Sequence, residues 1–430
     1  MYIEKEKELP IIARTQVLVC GAGPAGMGAA LRASEQGAKT MIIEMQDCLG
    51  GVATAGMMSH FTGWSSSKIL TQIQKRCKEK SQLLAGMDQE NVWDMTINQE
   101  VMKIVLNEMV KEKGIDVLFY TVVCDSIVEN GEIKGVIVEN KSGRGVIYAD
   151  VVIDATGDGD VAARAGVPYY KGREGDGKMQ PCTLMFKIGG VDYERAVFPE
   201  SFETEVVTEK GELQHLANEL LPFPAGHVLL YRQSTPGTVC CNMTNVIEID
   251  ATDGQSLTKA VFVCRSQIEP IIKFLREYAP GYENCWLMSS ASLIGVRETR
   301  HFEGLQTLTP EDILEAKCFD NWVVRYASFN FDVHNMSGAS LDETGVQKKW
   351  SQPNAYSIPY GCLLPVNVEN LLLSGRNISG KHLAHSNYRV MPIAMAIGEA
   401  AGVAAALKIN QSLKSLRDVN VKEIQNIVGE

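Results

Sequence analysis

The sequence predicts an α/β fold in which a parallel sheet, layered between helices, is interrupted by an inserted α+β domain. Three observations carry this reading. A strand, glycine turn, helix and second strand open the chain; a buried strand and a long apolar helix close it; a mixed stretch without nucleotide motifs lies between. Hydrophobic residues make up 45% and charged residues 22% of 430 positions, a globular composition sized for about two or three domains.

Thr15–Cys20 (TQVLVC) reads as a buried strand because it is apolar and β-branched and ends at Gly21. After the glycine turn, Met27–Gln36 continues as an Ala-rich helix closed by Gly37, and Lys39–Glu44 (KTMIIE) is a second buried strand. A βαβ unit of this kind requires parallel pairing. Helical spacing of Val101, Ile104, Val105 and Met109 marks a helix over Asn98–Lys113, stopped by Gly114. Strand-like stretches follow at Val117–Val123, Ser126–Glu129, Ile133–Glu139 and Gly145–Tyr148, with the Asn130-Gly131 turn joining the middle pair into a β-meander. A further buried strand, Asp150–Ala155, runs into Thr156-Gly-Asp-Gly-Asp160. Between Val167 and Gly361 the pattern predicts strands at Thr183–Ile188 and Val246–Ile249 and an amphipathic helix over Leu257–Tyr278. Asn370–Leu373 is the returning buried strand, and the last helix runs from Pro392 to about Leu407. The expected division is residues 1–166, 167–361 and 362–430, the outer two forming one domain.

Composition excludes several functions. The 52 acidic residues outnumber 41 basic ones, for a net charge of −11 without a basic run, so no nucleic acid is expected as partner. The leader MYIEKEKELP lacks the apolar core of a signal peptide, and the Ala- and Gly-rich stretch at Met391–Leu407 contains Glu399. A cytoplasmic protein with no membrane span is therefore expected. Eleven cysteines without a C-x-x-C pair and only seven histidines point to reduced thiols and to neither a cluster nor a structural zinc, so no metal is expected.

The motif with chemistry is G-x-G-x-x-G at Gly21, Gly23 and Gly26. It follows a strand, opens a helix and is answered by Glu44 at the end of the next strand. Gly21 permits the tight turn, Gly23 lets a pyrophosphate approach the backbone, and Gly26 lets the helix pack closely. Glu44 would accept hydrogen bonds from ribose hydroxyls. This arrangement binds an adenine dinucleotide and does not distinguish NAD from FAD.

Further motifs decide between them. Leu49-Gly-Gly51, DATGDGD at Asp154–Asp160, IGVRETR at Ile294–Arg300, IPYGCLLP at Ile358–Pro365, NLLLSGRNIS at Asn370–Ser379 and RVMPIAMAIGEAAGVAAAL at Arg389–Leu407 accompany the fingerprint. Together they resemble the two-domain FAD-dependent oxidoreductases, a broad group that includes the fumarate reductase-type flavoproteins. The resemblance implies a Rossmann-like FAD-binding domain with a three-layer parallel sheet and β-meander crossover, plus an inserted α+β substrate domain. It also implies FAD as cofactor. Its site would comprise Gly21, Gly23, Pro24, Ala25, Gly26, Glu44 and Met45 around the first turn, with Gly50, Gly51, Val52 and Thr54 beside the flavin and pyrophosphate. Val123 would lie at the adenine, Ala155, Thr156, Gly157 and Asp158 near the pyrophosphate and ribityl chain, and Gly375, Arg376 and Asn377 would close the site. Val390 and Met391 would aim a helix N-terminus at the flavin edge. Gly361 departs from the Arg expected in many relatives.

A flavin exchanges hydride through N5, so the protein must hold the substrate there and manage one proton. Histidine suits the proton and arginine the orientation of an anion. His385 and Arg389, just before the last helix, are the first candidates; His334 and Arg297 are the next, each with a structural alternative as a packed or ion-paired group. His60 is a further residue past the flavin-side glycines, and Cys48 stands without the second cysteine that thiol redox chemistry needs. The expected reaction is hydride transfer between flavin and a small organic substrate, hydroxyl-bearing or unsaturated, such as a sugar derivative or carboxylic acid. An electron-transfer subunit with a protein redox partner, a non-redox FAD protein and a nicotinamide-only dehydrogenase are the alternatives, and a homo-oligomer stays open.

Overall fold

The computed structural model describes residue 2 and residues 5–58, 60–86, 96–202, 204–339, 352 and 354–429. Its main sheet contains β1 (Ile11–Cys20), β2 (Thr40–Ile43), β3 (Asp116–Leu118), β4 (Val122–Glu129), β5 (Glu132–Asn140) and β6 (Gly143–Asp154) in the order β3-β2-β1-β6-β5-β4. β1 pairs in parallel with β2 and β6, and β2 with β3, while β4, β5 and β6 form an antiparallel meander.

Two expected strands, Gly145–Tyr148 and Asp150–Ala155, are one. β6 pairs with β1 from Val146 to Asp154, so nothing breaks it at Ala149. On its other edge it changes partner: Gly143–Tyr148 pairs antiparallel with β5, and Val152–Asp154 pairs parallel with the returning strand Leu371–Leu373. The expected strand Val117–Val123 is instead divided, because β3 and β4 belong to opposite ends of the sheet and Tyr120 turns the chain at φ 52°. Val246–Ile249 yields a single bridge from Val246 to Cys182, and Glu248 at φ 58° leaves extended geometry. A helix absent from the sequence reading, α2 (Lys68–Ala85), is started by Ser67, whose hydroxyl accepts from Leu70 N.

Helix α1 (Pro24–Glu35) follows the glycine turn, and α3 (Gln99–Glu112) is capped by Asn98. Near the end of the chain a short helix, α4 (His382–Tyr388), precedes α5 (Met391–Asn410). α5 lies directly on α1. A Cβ on Gly398 would stand 1.9 Å from the Ala25 carbonyl oxygen, and one on Gly402 would stand 2.1 Å from that of Ala29. The missing side chains let the two backbones touch. Among the described helices α5 alone is long and apolar enough to cross a membrane, yet it is buried within the protein. Its one acidic residue, Glu399, is fully used: it accepts from Arg32 Nε at 2.9 Å, Ile69 N at 3.1 Å and the Ser67 hydroxyl. The carboxylate thus ties α1 and α5 to the start of α2.

The core has two large clusters and a small one. One cluster joins the main sheet with α1, α3 and α5 and takes in Phe302, Val323, Tyr356 and Ile358 from later segments. The other spans Cys182 to Ile294 around an antiparallel sheet and the helix Gly254–Tyr278. A small third cluster of Met185, Leu229, Tyr231 and Cys240 packs against Met57 and Met58, and so couples the second sheet to the loop that follows Gly51.

Candidate active site

The first glycine turn has the geometry a phosphate approach demands. Gly21, at φ 94°, donates to Ile43 O at 2.8 Å, and a Cβ on Gly26 would lie 1.9 Å from Gly21 O. Gly23 differs: nothing lies within 4 Å of where its Cβ would be. It is also the N-cap of α1 and supplies no side-chain cap; Pro24 has no N–H and Met27 N donates to Gly23 O at 2.9 Å, so the first-turn N–H groups of Ala25 and Gly26 are left to a ligand. Glu44 is buried, with Oε2 accepting from Ala22 N at 2.7 Å and Oε1 from Gln46 N at 2.9 Å. Gly50 donates to Ala22 O at 2.7 Å, and Thr54 Oγ1 donates to Leu49 O at 2.6 Å. These bonds bring Gly50, Gly51, Val52 and Thr54 against the turn. Met45 is exposed beside it, and Val123 is buried in β4 opposite Val138.

The motifs from the far end of the chain arrive at the same place. Asp154, fully buried, accepts from Thr156 N and Oγ1 at 3.1 and 2.7 Å and from Ala162 N at 2.8 Å. Burial outweighs these donors and pushes its carboxyl up to about 6. Asn377 clamps the returning strand, donating to Asp154 O at 2.9 Å and accepting from Ser374 N at 2.9 Å. Asp158 Oδ1 accepts from Arg376 Nη2 at 3.0 Å and Thr299 Oγ1 at 2.8 Å, and Arg300 reaches Asp158 O at 2.7 Å. Arg376 Nη1 remains buried without a partner. Val390, the N-cap of α5, also supplies no side-chain cap, and a Cβ on Gly63 would lie 2.8 Å from Val390 Cγ2. Two uncapped helix starts, open space at Gly23 and an unused guanidinium nitrogen fit a dinucleotide bearing two phosphates and an electron-accepting ring.

Beside the start of α5 lies a polar cluster between the two cores. Asp332 Oδ2 accepts from Arg389 Nη2 at 2.8 Å and is 3.4 Å from His334 Nε2. Arg297 donates to Pro181 O at 2.6 Å and Thr183 Oγ1 at 2.8 Å. Phe202 sets its ring against His227 and His334 at 5.1 and 5.2 Å, and His60 stacks on Tyr231 at 4.9 Å. Burial, reinforced by Arg297, pushes His334 down to about 4; burial and the neighbouring His334 push His227 down to about 3. Burial opposes ionisation of Asp332, but His334, Arg389 and Arg297 outweigh it and hold the carboxyl well below its ordinary range. Two guanidinium groups and one carboxylate leave this cluster with one excess positive charge at neutral pH.

The fold therefore brings Arg297, His334 and Arg389 around Asp332 and places His385 elsewhere. The His385 ring packs edge-on against His301 and Tyr388 at 5.0 and 5.4 Å, and its Nδ1 has no partner. Burial and His301 push its ionisation well down. Asp332, His227 and Tyr231 escaped the sequence reading as site residues. The i, i+2 spacing of Asp332 and His334 was the one available signal; the others stand about a hundred residues away (on the scale that separates chain segments meeting in one site). At Gly361 a side chain would meet Gln306 Oε1 at 2.6 Å, so the position an arginine was expected to fill is closed by Gln306.

Comparison with known proteins gives a family model, FAD dependent oxidoreductase, that matches residues 16–428. Thiamine thiazole synthase of Aeropyrum pernix is 28% identical over 165 residues, which cover 35% of this chain and 57% of that protein. Dihydrolipoyl dehydrogenase of Buchnera aphidicola is 44% identical over 69 residues, 16% of this chain and 13% of that one. The chain thus spans little more than half of the first relative and a small part of the second. A geranylgeranyl bacteriochlorophyll reductase-like protein from Thermoplasma acidophilum shares the fold at a TM-score of 0.51 and 13% identity, over 97% of this chain and 83% of that one.

Proposed function

We propose, from the premise that this chain belongs to the FAD dependent oxidoreductase family, that it exchanges hydride between flavin N5 and a small organic substrate bearing a carboxylate. FAD is the cofactor of the family, and when bound it supplies the hydride chemistry at N5. Gly23, the first turn of α1 and Glu44 would hold the pyrophosphate and adenosine ribose. Arg376 and the start of α5 at Val390 and Met391 would meet the middle and the flavin edge. The excess positive charge around Asp332 carries the substrate assignment. Arg389 and Arg297 would bind and orient the carboxylate, and Asp332 holds Arg389 and His334 in place. Because His334 is neutral well below pH 7, its ring is available to take the substrate proton. His60, Tyr231, Phe202 and Met57 would wall the substrate off from water.

The test is anaerobic mixing of the purified, FAD-loaded protein with panels of hydroxy acids, unsaturated acids, neutral sugars and reduced nicotinamides, following flavin absorbance. Bleaching by hydroxy acids, or reoxidation of prereduced flavin by unsaturated acids, is the expected outcome. Response to neutral sugars alone would sink the carboxylate assignment. Turnover seen only after adding a protein electron carrier would favour the electron-transfer alternative.

A further inference from the structure

Arg297 and Glu298 are consecutive, yet they serve different clusters. Arg297 joins the group around Asp332, whereas Glu298 is fully buried between two histidines. Its Oε1 lies 2.8 Å from His301 Nε2 and 2.6 Å from His382 Nδ1, and its Oε2 accepts from Gln180 N at 3.0 Å. The carboxylate oxygen and the two ring nitrogens lie within 4.8 Å of one another. We propose that Glu298, His301 and His382 form a binding site for one divalent transition-metal ion, with two imidazole nitrogens and one carboxylate as ligands.

The donor arithmetic supports this. His301 Nδ1 is 3.1 Å from Gly380 O while Nε2 faces Glu298 Oε1, so a carbonyl holds the remote ring nitrogen and the other nitrogen points at the carboxylate. His382 Nδ1 faces the same Glu298 oxygen, and its buried Nε2 has no partner. A buried polar cluster with an unpartnered nitrogen is expensive. With a cation bound, His301 would keep its proton on Nδ1 toward Gly380 O and His382 would carry its proton on Nε2, so that His301 Nε2 and His382 Nδ1 both turn lone pairs toward the ion. Metal-bound histidines are held in this way by a carbonyl on the remote nitrogen. Two imidazoles and a carboxylate suit Zn2+, Fe2+ or Mn2+ better than Ca2+ or Mg2+. The ion would pin α4 to the segment carrying Arg297, and so fix Arg297 and Arg389 relative to one another. The site stands on residues separate from the substrate assignment above, so either can fail alone.

The FAD-loaded protein, produced in medium supplemented with Zn2+ and passed through gel filtration, is assayed for metal by plasma mass spectrometry and for flavin by absorbance. About one zinc per chain is expected, with a lower Tm after treatment with a strong chelator and recovery on adding zinc back. His301→Gln and His382→Gln should lose the metal while retaining FAD, and His385→Gln should keep both. Wild-type protein that carries no metal after growth in zinc, iron or manganese, and whose Tm ignores chelator, overturns the proposal. Should the histidine variants fail to retain FAD, zinc X-ray absorption on the wild type decides. An imidazole and oxygen shell supports the site, and a sulfur shell, placing the metal on cysteines, overturns it.

Discussion

Arg389 stands one residue before the N-cap of α5, and its Nη2 is engaged by both the backbone oxygen and the carboxylate of Asp332 at 3.0 and 2.8 Å. Its Nε is buried without a partner, a donor left for a ligand. Arg389→Ala should therefore retain FAD but slow flavin reduction by the carboxylate substrate. Loss of a charge-assisted hydrogen bond is worth about 1.5–3 kcal/mol, roughly ten- to a hundredfold in rate, measured by anaerobic stopped flow. Arg389→Lys should recover little, because a point charge cannot reproduce the fork. His334 makes a pH prediction of a definite sign. With its ring pushed down to about 4, the neutral form that accepts a proton persists through the weakly acidic range. The reduction rate should hold steady from pH 8 to about 5 and fall near 4, as expected for loss of a base (roughly within a unit of its pKa). An unchanged rate in His334→Gln would remove it from the mechanism.

At the scale of elements, the contact between α1 and α5 sets the site, since both helices start at the cofactor and both lack side-chain caps there. The helical pattern and the glycines of α5 were legible in the sequence, and so was the strand–turn–helix of the fingerprint. What they pack against was not. Gly398 and Gly402 read as ordinary members of an Ala-rich helix until the carbonyls of Ala25 and Ala29 are placed under them. Gly398→Ala should cost about 1–3 kcal/mol or more through overpacking, and should weaken FAD retention by displacing the start of α1; urea unfolding and flavin content measure both. Glu399 was noted as the charge that excludes a membrane span, but its partners Arg32 and Ser67 lie over three hundred positions away, a distance no local pattern spans. Glu399→Ala leaves buried Arg32 with Glu35 alone and takes the acceptor from Ile69 N and the Ser67 hydroxyl. It should destabilise by about 3–5 kcal/mol in the same unfolding assay, far more than loss of the exposed Lys103–Glu100 pair.

For the whole molecule, buried ionisable groups tie stability to pH. Unfolded histidines take protons near 6.5, whereas in the native state His334 and His227 wait until about 4 and about 3, and His385 is also held well down. The unfolded state then binds more protons below 6.5, so the stability from these groups is complete above that pH and declines as pH falls toward 4. Asp154 acts in the opposite sense: raised from 3.8 to about 6, it adds stability as pH falls through 6 and loses it as pH rises. Three histidines oppose one aspartate. The expected result is a net decline of at least about 1.4 kcal/mol per pH unit between pH 6 and 4, read from urea midpoints. His227→Gln with His334→Gln should flatten that slope, and Asp154→Asn should steepen it.

Local chemistry in the sequence determined the βαβ unit, the glycine turn with Glu44 and the long apolar helix, because each is written in contiguous residues whose spacing follows backbone geometry. The segments DATGDGD, GVRETR and SGRN were visible as motifs, but only the tertiary structure joined them, through Asp158 held by Arg376 and Thr299 with Arg300 on its backbone. Tertiary structure also separated His385 from Arg389, four residues apart on a helical turn yet in different clusters. It merged two expected strands into β6, since each half finds a different partner on one edge. The physical reason is common to all of these: a side chain's direction and a strand's partner depend on what packs against them, and those neighbours come from distant parts of the chain.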